Sequence, residues 1–142
     1  MDKNRYDFLT EPNELGYALV QDKFLNRVCI VEGDCVLHVT NYENNWMEYP
    51  KGTWQRPLQW LAPDRIGFFR DGYWGMMSPE GIVIIPDQFE FILPFYKTGY
   101  FILKNKNQLC GCVDKDFNIL YPDKYEYTEL RAILLKQFNI EA

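Results

Sequence analysis

The sequence predicts a mainly β protein built from stacked antiparallel hairpins. Three observations carry that prediction. The first is an internal repeat: Pro86-Asp87-Gln88-Phe89-Glu90-Phe91 recurs as Pro122-Asp123-Lys124-Tyr125-Glu126-Tyr127, at an offset of 36 residues. The same offset lays Gly75 on Gly111, Met77 on Val113, Ser78 on Asp114 and Glu80 on Asp116. A fixed period of roughly 20–50 residues marks an array of one supersecondary unit. The second is a series of turn signals between short apolar runs, with Asp71-Gly72 the strongest. The third is an aromatic share of 17%, and aromatic residues favour strands and binding surfaces.

Within the unit, Ile66 to Arg70 is a strand, Asp71-Gly72 a hairpin turn and Tyr73 to Met77 the return strand. Ser78-Pro79-Glu80-Gly81 is a turn with proline at its second position. Ile82 to Ile85 is a β-branched strand stopped by Pro86, since proline cannot donate to a ladder. The second copy runs Tyr100 to Lys104, a turn at Asn105-Lys106-Asn107, Leu109 to Val113, a turn from Asp114 to Asn118, then Ile119 to Tyr121 closed by Pro122. The full repeats thus cover about residues 64–99 and 100–139. A degenerate repeat covers about 24–62, in which Val28-Cys29-Ile30-Val31 before Glu32-Gly33-Asp34 matches Gly67 to Arg70 before Asp71-Gly72, and Cys35 to Thr40 returns. Residues 41–62 form an aromatic insertion in that copy. Residues 129–138 fit two readings. Ile133 to Lys136 matches Phe101 to Lys104 as a strand, and Leu130, Ile133, Leu134 and Phe138 also form a helical stripe.

At 142 residues the expectation is one domain with a proper core, because a domain near that size buries roughly 68–70% of its unfolded surface. The formal net charge of −5, with no run of Lys or Arg, argues against nucleic-acid binding, which needs a basic surface. No apolar stretch approaches a membrane span, and no signal peptide follows Met1. The expected location is the cytoplasm, with the four cysteines reduced.

Trp74-Gly75-Met76-Met77-Ser78-Pro79-Glu80-Gly81, followed by Ile82 to Pro86 and then Phe89-Glu90, resembles a WG repeat. Ser78 stands where the family has Asp or Asn; in the second copy Cys110 replaces the Trp and Phe117 the turn Gly. The resemblance covers about residues 64–139 clearly and 24–50 faintly. It implies a β-rich bacterial interaction module without catalytic residues. Trp74, Gly75, Pro86, Gly111 and Pro122 carry over as structural repeat positions only. Gly75 suits a strand position that marks a bulge or a close approach by another chain segment.

No catalytic set emerges. Cys110-Gly111-Cys112 would face its two thiols to one side of a strand. With Cys29 and Cys35 it suggests a zinc site, but the spacing is short for structural zinc, and the repeat explains both as small apolar substitutes for Trp74 and Met76. His38, the only histidine, has no nucleophile motif near it. Asp87 with Glu90 and Asp123 with Glu126 recur, which favours strand exits over one acid–base pair. No phosphate loop, dinucleotide fingerprint or calcium loop is present. Neither metal nor cofactor is expected.

The candidate binding residues are Trp46, Tyr49, Trp54 and Trp60 in the aromatic insertion, because Trp and Tyr are enriched at binding hot spots. The same residues would also cap an open repeat stack. The expected activity is non-catalytic: binding of a protein partner, as a bacterial inhibitor or immunity-type protein. The chain's acidity favours a basic partner. The alternatives are a glycan or small-ligand module using surface aromatics, and an acidic nucleic-acid mimic. Open sheet edges offer a route to homo-oligomers.

Overall fold

A computed structural model describes residues 1–141 and contains, within them, fourteen strands and one helix. Three sheets have four strands each, and in all three the neighbours in space are neighbours in sequence. Such plain meanders need only short hairpin connections.

The first sheet holds β1 (Tyr6–Phe8), β2 (Tyr17–Asp22), β3 (Arg27–Glu32) and β4 (Cys35–Val39), all antiparallel. A two-stranded ribbon comes next, β5 (Met47–Glu48) with β6 (Trp54–Gln55). The second four-stranded sheet holds β7 (Leu58–Ala62), β8 (Arg65–Arg70), β9 (Tyr73–Met77) and β10 (Val83–Phe89). The third holds β11 (Phe91–Pro94), β12 (Tyr100–Lys104), β13 (Cys110–Asp114) and β14 (Ile119–Tyr125). The helix α1 (Tyr127–Gln137) ends the regular structure. The fold is mainly β with one short C-terminal helix.

Contacts divide the chain into two compact units: Met1–Phe68 with Met77–Val83, and Phe69–Met76 with the chain from Ile84 onward. In the first, Leu19, Val28, Ile30, Leu58, Ile66, Phe68 and Met77 form one apolar cluster. Ala18, Val20, Cys29 and Val31, from the other faces of β2 and β3, form another. In the second unit, Leu130 and Leu134 of α1 pack with Phe95, Ile102, Cys110 and Cys112. The third strand of each sheet is covered on both sides, with Val28 to Val31, Trp74 to Met77 and Cys110 to Val113 all buried. The runs therefore read as continuously apolar rather than alternating.

The turns obey their local sequence. Asp71 and Gly72 both take positive φ, 55° and 89°, as a type I′ hairpin turn requires. In the Ser78–Gly81 turn the Gly81 amide donates to the Ser78 carbonyl at 2.9 Å, and Gly81 has φ 83°. Its counterpart one repeat later is Phe117, which takes φ 68° despite its side chain. Asp114 holds that turn, its Oδ1 accepting from the amides of Asp116 and Asn118 at 2.9 Å each.

Two expectations change, and one left open is settled. Pro86 and Pro122 do not stop their strands: β10 and β14 continue through them to Phe89 and Tyr125. Both are edge strands, where proline's missing N–H costs no ladder bond, and β14 also carries register shifts against β13. Residues 129–138 lie in the helix and its cap, not in a strand, because Leu130 and Leu134 share one buried helical face. Sheet structure also begins earlier than residue 24, at Tyr6. Residues 24–62 take in β3, β4, the ribbon and β7, which belong to three different sheets. Val28 to Val31 lies in a third strand, whereas Gly67 to Arg70 lies in a second.

Two contacts make the fold testable. A Cβ on Gly111 would sit 2.3 Å from Asp123 Oδ1 and 2.8 Å from the Tyr121 carbonyl oxygen. Gly111→Ala should therefore destabilise by about 2–3 kcal/mol, the scale of core overpacking, in urea unfolding. Adding Asp123→Ala should recover only part of that loss, since the Tyr121 carbonyl remains.

The second contact is Arg5 with the buried Asp22. Arg5 Nε and Nη2 reach the two carboxylate oxygens at 3.1 and 2.9 Å, and the amides of Phe24 and Leu25 also donate to Oδ1. The Arg5 hydrogen bond, helped by those amides, holds the Asp22 carboxyl below its ordinary value. A lowered folded pKa gives stability that is present above the unfolded value, about 3.9, and lost as pH falls through the folded one. Arg5→Ala should lower stability at neutral pH and flatten its acid-side decline, read by unfolding at a series of pH values from about 6 down to about 2.

Candidate functional site

The aromatic segment divides into an exposed ribbon and a partly buried strand. The ribbon is held by its own backbone: the Tyr49 amide donates to the Thr53 carbonyl and the Thr53 amide to the Pro50 carbonyl, each at 2.9 Å. Gly52, at φ 89°, closes the turn, and its amide donates to Glu48 Oε2. Gln55 Nε2 donates to the Tyr49 carbonyl. Trp46 and Trp54 are left 59% and 64% exposed, a high fraction for indoles.

Trp60 belongs to β7, the first strand of the second four-stranded sheet, rather than to an insertion. It is half-buried, stacked on Tyr17 at 6.4 Å between centroids, and its Nε1 donates to Thr10 Oγ1 at 3.2 Å. Tyr49 is half-buried in the ribbon turn. Of the four residues, Trp46, Trp54 and Trp60 line one open groove of about 500 Å³, with Thr10, Leu19 and Leu58 and the polar side chains of Gln55, Arg56 and Gln59. Tyr49 is not part of its lining.

The groove is apolar with few polar groups, the usual make-up of a binding cleft. Arg56 is its only charged lining residue. The guanidinium lies 4.8 Å from the Trp46 ring centroid, a cation–π distance, and its Nη1 is out of solvent with no hydrogen-bond partner among the described residues. The acids nearest in sequence are engaged, Glu43 with Arg27 at 3.6 Å and Glu48 with Gly52. Sequence reasoning missed Arg56. A lone Arg before Pro57 carries no signal until the fold lays it over Trp46.

The other sequence candidates sit elsewhere. Trp74 is buried in β9, with Phe69 edge-on at 5.3 Å, and Gly75 is buried beside it. Cys110 and Cys112 belong to the α1 cluster and Cys29 to the second cluster of the first unit. Burial pushes Cys112 up to about 11, so it stays a neutral thiol and a poor nucleophile. Among the described residues no group of three or more His, Cys, Asp or Glu side chains is placed to hold a metal ion. His38 is half-buried with its ring against Gly81, where a Cβ would meet it at 2.5 Å.

The recurring acids differ between copies. Arg70 reaches both oxygens of Asp87, at 2.8 and 3.2 Å, and holds its carboxyl low. Asp123 shifts upward instead: the residue is exposed, but its carboxylate leans on the Gly111 backbone and is partly desolvated there. Glu90 accepts from Gln108 Nε2 at 2.7 Å.

Among the described residues no helix is long and apolar enough to cross a membrane. Comparison of the chain with protein families, with curated proteins and with solved structures finds no match.

Proposed function

We propose that this chain is a non-catalytic protein-binding module of WG-repeat type, acting in the bacterial cytoplasm as an inhibitor or immunity-type protein that masks a partner enzyme or toxin. One observation carries the reading: Trp46 and Trp54 stand exposed on a ribbon held by its own hydrogen bonds, beside an apolar groove. Large aromatic side chains with few rotatable bonds lose little entropy on docking, and they dominate interface energetics. A pre-formed ribbon lowers the ordering cost further. The chemistry-bearing side chains support the same reading. His38 packs on a turn glycine, the buried thiols are held neutral, and the repeating acids serve their own turns and neighbours.

A second reading, glycan binding, draws on the groove itself. Three indoles share it with two amides, and indole faces stack on sugar rings. Paired titrations separate the two readings, since a sugar ligand would saturate the groove without any protein present.

The decisive experiment is capture from native lysate. Wild-type protein should retain one stoichiometric protein, and Trp46→Ala with Trp54→Ala should lose it, by at least about 2 kcal/mol as hot-spot truncations do. Because both side chains are exposed, the double variant should unfold within about 0.5 kcal/mol of wild type. Retention of the same protein by the double variant would remove the ribbon from the interface.

A further inference from the structure

We infer that the groove takes an extended, proline-containing segment of the partner protein, with an acidic residue flanking it. This rests on the protein-binding reading above and names the chemistry of the segment that fits.

Hydrogen bonding in the lining is weighted towards donors. Among the described residues the indole N–H groups of Trp46 and Trp54 find no acceptor. Thr10 Oγ1 already accepts from the Leu19 amide at 3.0 Å and from Trp60 Nε1 at 3.2 Å, so its own hydrogen is left to donate. Arg56 donates only; its Nη1, unpartnered among the described residues, is itself out of solvent. Gln55 and Gln59 each give one amide hydrogen to the Tyr49 and Arg56 carbonyls, and each keeps a second hydrogen and an amide oxygen. Free side-chain donors in the groove therefore outnumber the free acceptors, which favours a ligand that mainly accepts.

A polyproline II segment has that character. Its carbonyls make no internal hydrogen bonds and its prolines have no N–H. The rings offer flat apolar faces to the indoles, as in other aromatic grooves that read proline-rich chains. Such a segment is already stiff, so it loses little entropy on docking. A sugar fits these donors less well, because its hydroxyls donate as readily as they accept and the lining side chains offer two amide oxygens and no carboxylate to receive them.

Charge then sets the flank. Arg56 is the one ionic group of the lining, and it has no carboxylate partner. An acid beside the prolines would complement it, and a lysine there would be repelled. The chain's overall charge of −5 acts at longer range and is screened within about 10 Å at ordinary salt, so the local cation decides at contact.

The test uses the whole chain labelled with ¹⁵N and tracks the three indole N–H signals of Trp46, Trp54 and Trp60. The probes are a polyproline peptide, the same peptide flanked by Asp or by Lys, a Gly-Ser peptide of equal length, and a chito-oligosaccharide. The polyproline peptide should shift the Trp46 and Trp54 signals with a Kd of about 1 mM or tighter. Asp flanks should tighten binding roughly threefold relative to Lys flanks, the scale of one exposed ion pair. That preference should vanish at high salt in the wild type, and also in Arg56→Gln.

Absence of shifts at about 5 mM polyproline, equal shifts with Gly-Ser, or preference for Lys flanks would each overturn the inference. Saturation by the sugar alone would overturn it together with the protein-binding reading. A captured partner that needs Trp46 and Trp54 but contacts them through a segment without proline, mapped by cross-linking, would overturn this inference and leave that reading standing.

Discussion

Each meander closes around a third strand with no exposed face, and the rest of the architecture comes from satisfying that strand. β3, β9 and β13 bury four consecutive residues each. Every backbone N–H and C=O in such a strand must find a ladder partner, since water cannot supply one. The second and fourth strands provide the partners, and that fixes the four-strand order. The side chains must then fit between two covering layers. In β13 the answer is Cys110, Gly111, Cys112 and Val113, all small, with the Asp123 carboxylate and Tyr121 carbonyl descending onto Gly111. β9 keeps a large indole at the equivalent of Cys110, with Phe69 beside it. One backbone plan thus accepts Trp-Gly or Cys-Gly according to what lies above it.

Much of this was legible in the sequence, because hairpins are specified locally. Asp71-Gly72, the Ser78 turn and the offset of 36 residues locate β8, β9, β12 and β13 to within about two residues. The misread positions share one cause, dependence on a distant partner. A proline ends a strand only if its outward amide is needed, and the edge position of β10 and β14 removes that need. The repeated motif even reaches two different outcomes. Phe91 opens β11 whereas its counterpart Tyr127 opens α1, and the two rings meet edge to face at 5.9 Å. The residues C-terminal to each ring decide between strand and helix: Leu130 and Leu134 need a helical spacing to reach Cys110 and Cys112. β1 and β2 escaped notice because they fall outside the period, although Ala18-Leu19-Val20 after Gly16, at φ 87°, is a strand signal of the ordinary kind.

The candidate site was legible as composition and illegible as geometry. A cluster of Trp and Tyr broken by Pro and Gly can be seen in the sequence. Which indole is exposed cannot, because exposure depends on Thr10, Tyr17 and Leu19, residues more than a ribbon's length away in the chain. The split between Trp60, tied to Thr10 and Tyr17, and the freer Trp46 and Trp54 is therefore a tertiary result. Net charge, likewise, does not describe the groove. The chain is acidic, yet the one charged side chain facing the groove is Arg56.

Phe117 shows how function and fold share the cost of degeneracy in the repeats. A phenylalanine at φ 68° adopts a conformation that glycine takes freely at Gly81, and an L-residue there costs on the order of 1 kcal/mol. The ring is partly compensated by an edge-to-face contact with Phe89 at 6.3 Å, worth a similar amount. The substitution is close to neutral for stability, so drift from the repeat pattern is tolerated wherever a neighbour can absorb it. The ribbon needs a different justification. Trp46 and Trp54 lack comparable burial, so folding gains little from them. These large indoles are left in water on a hairpin whose turn is fixed by four backbone and side-chain hydrogen bonds. That asymmetry, between core positions that compensate by burial and a ribbon that stays largely exposed, is the physical ground for the proposal that the ribbon binds.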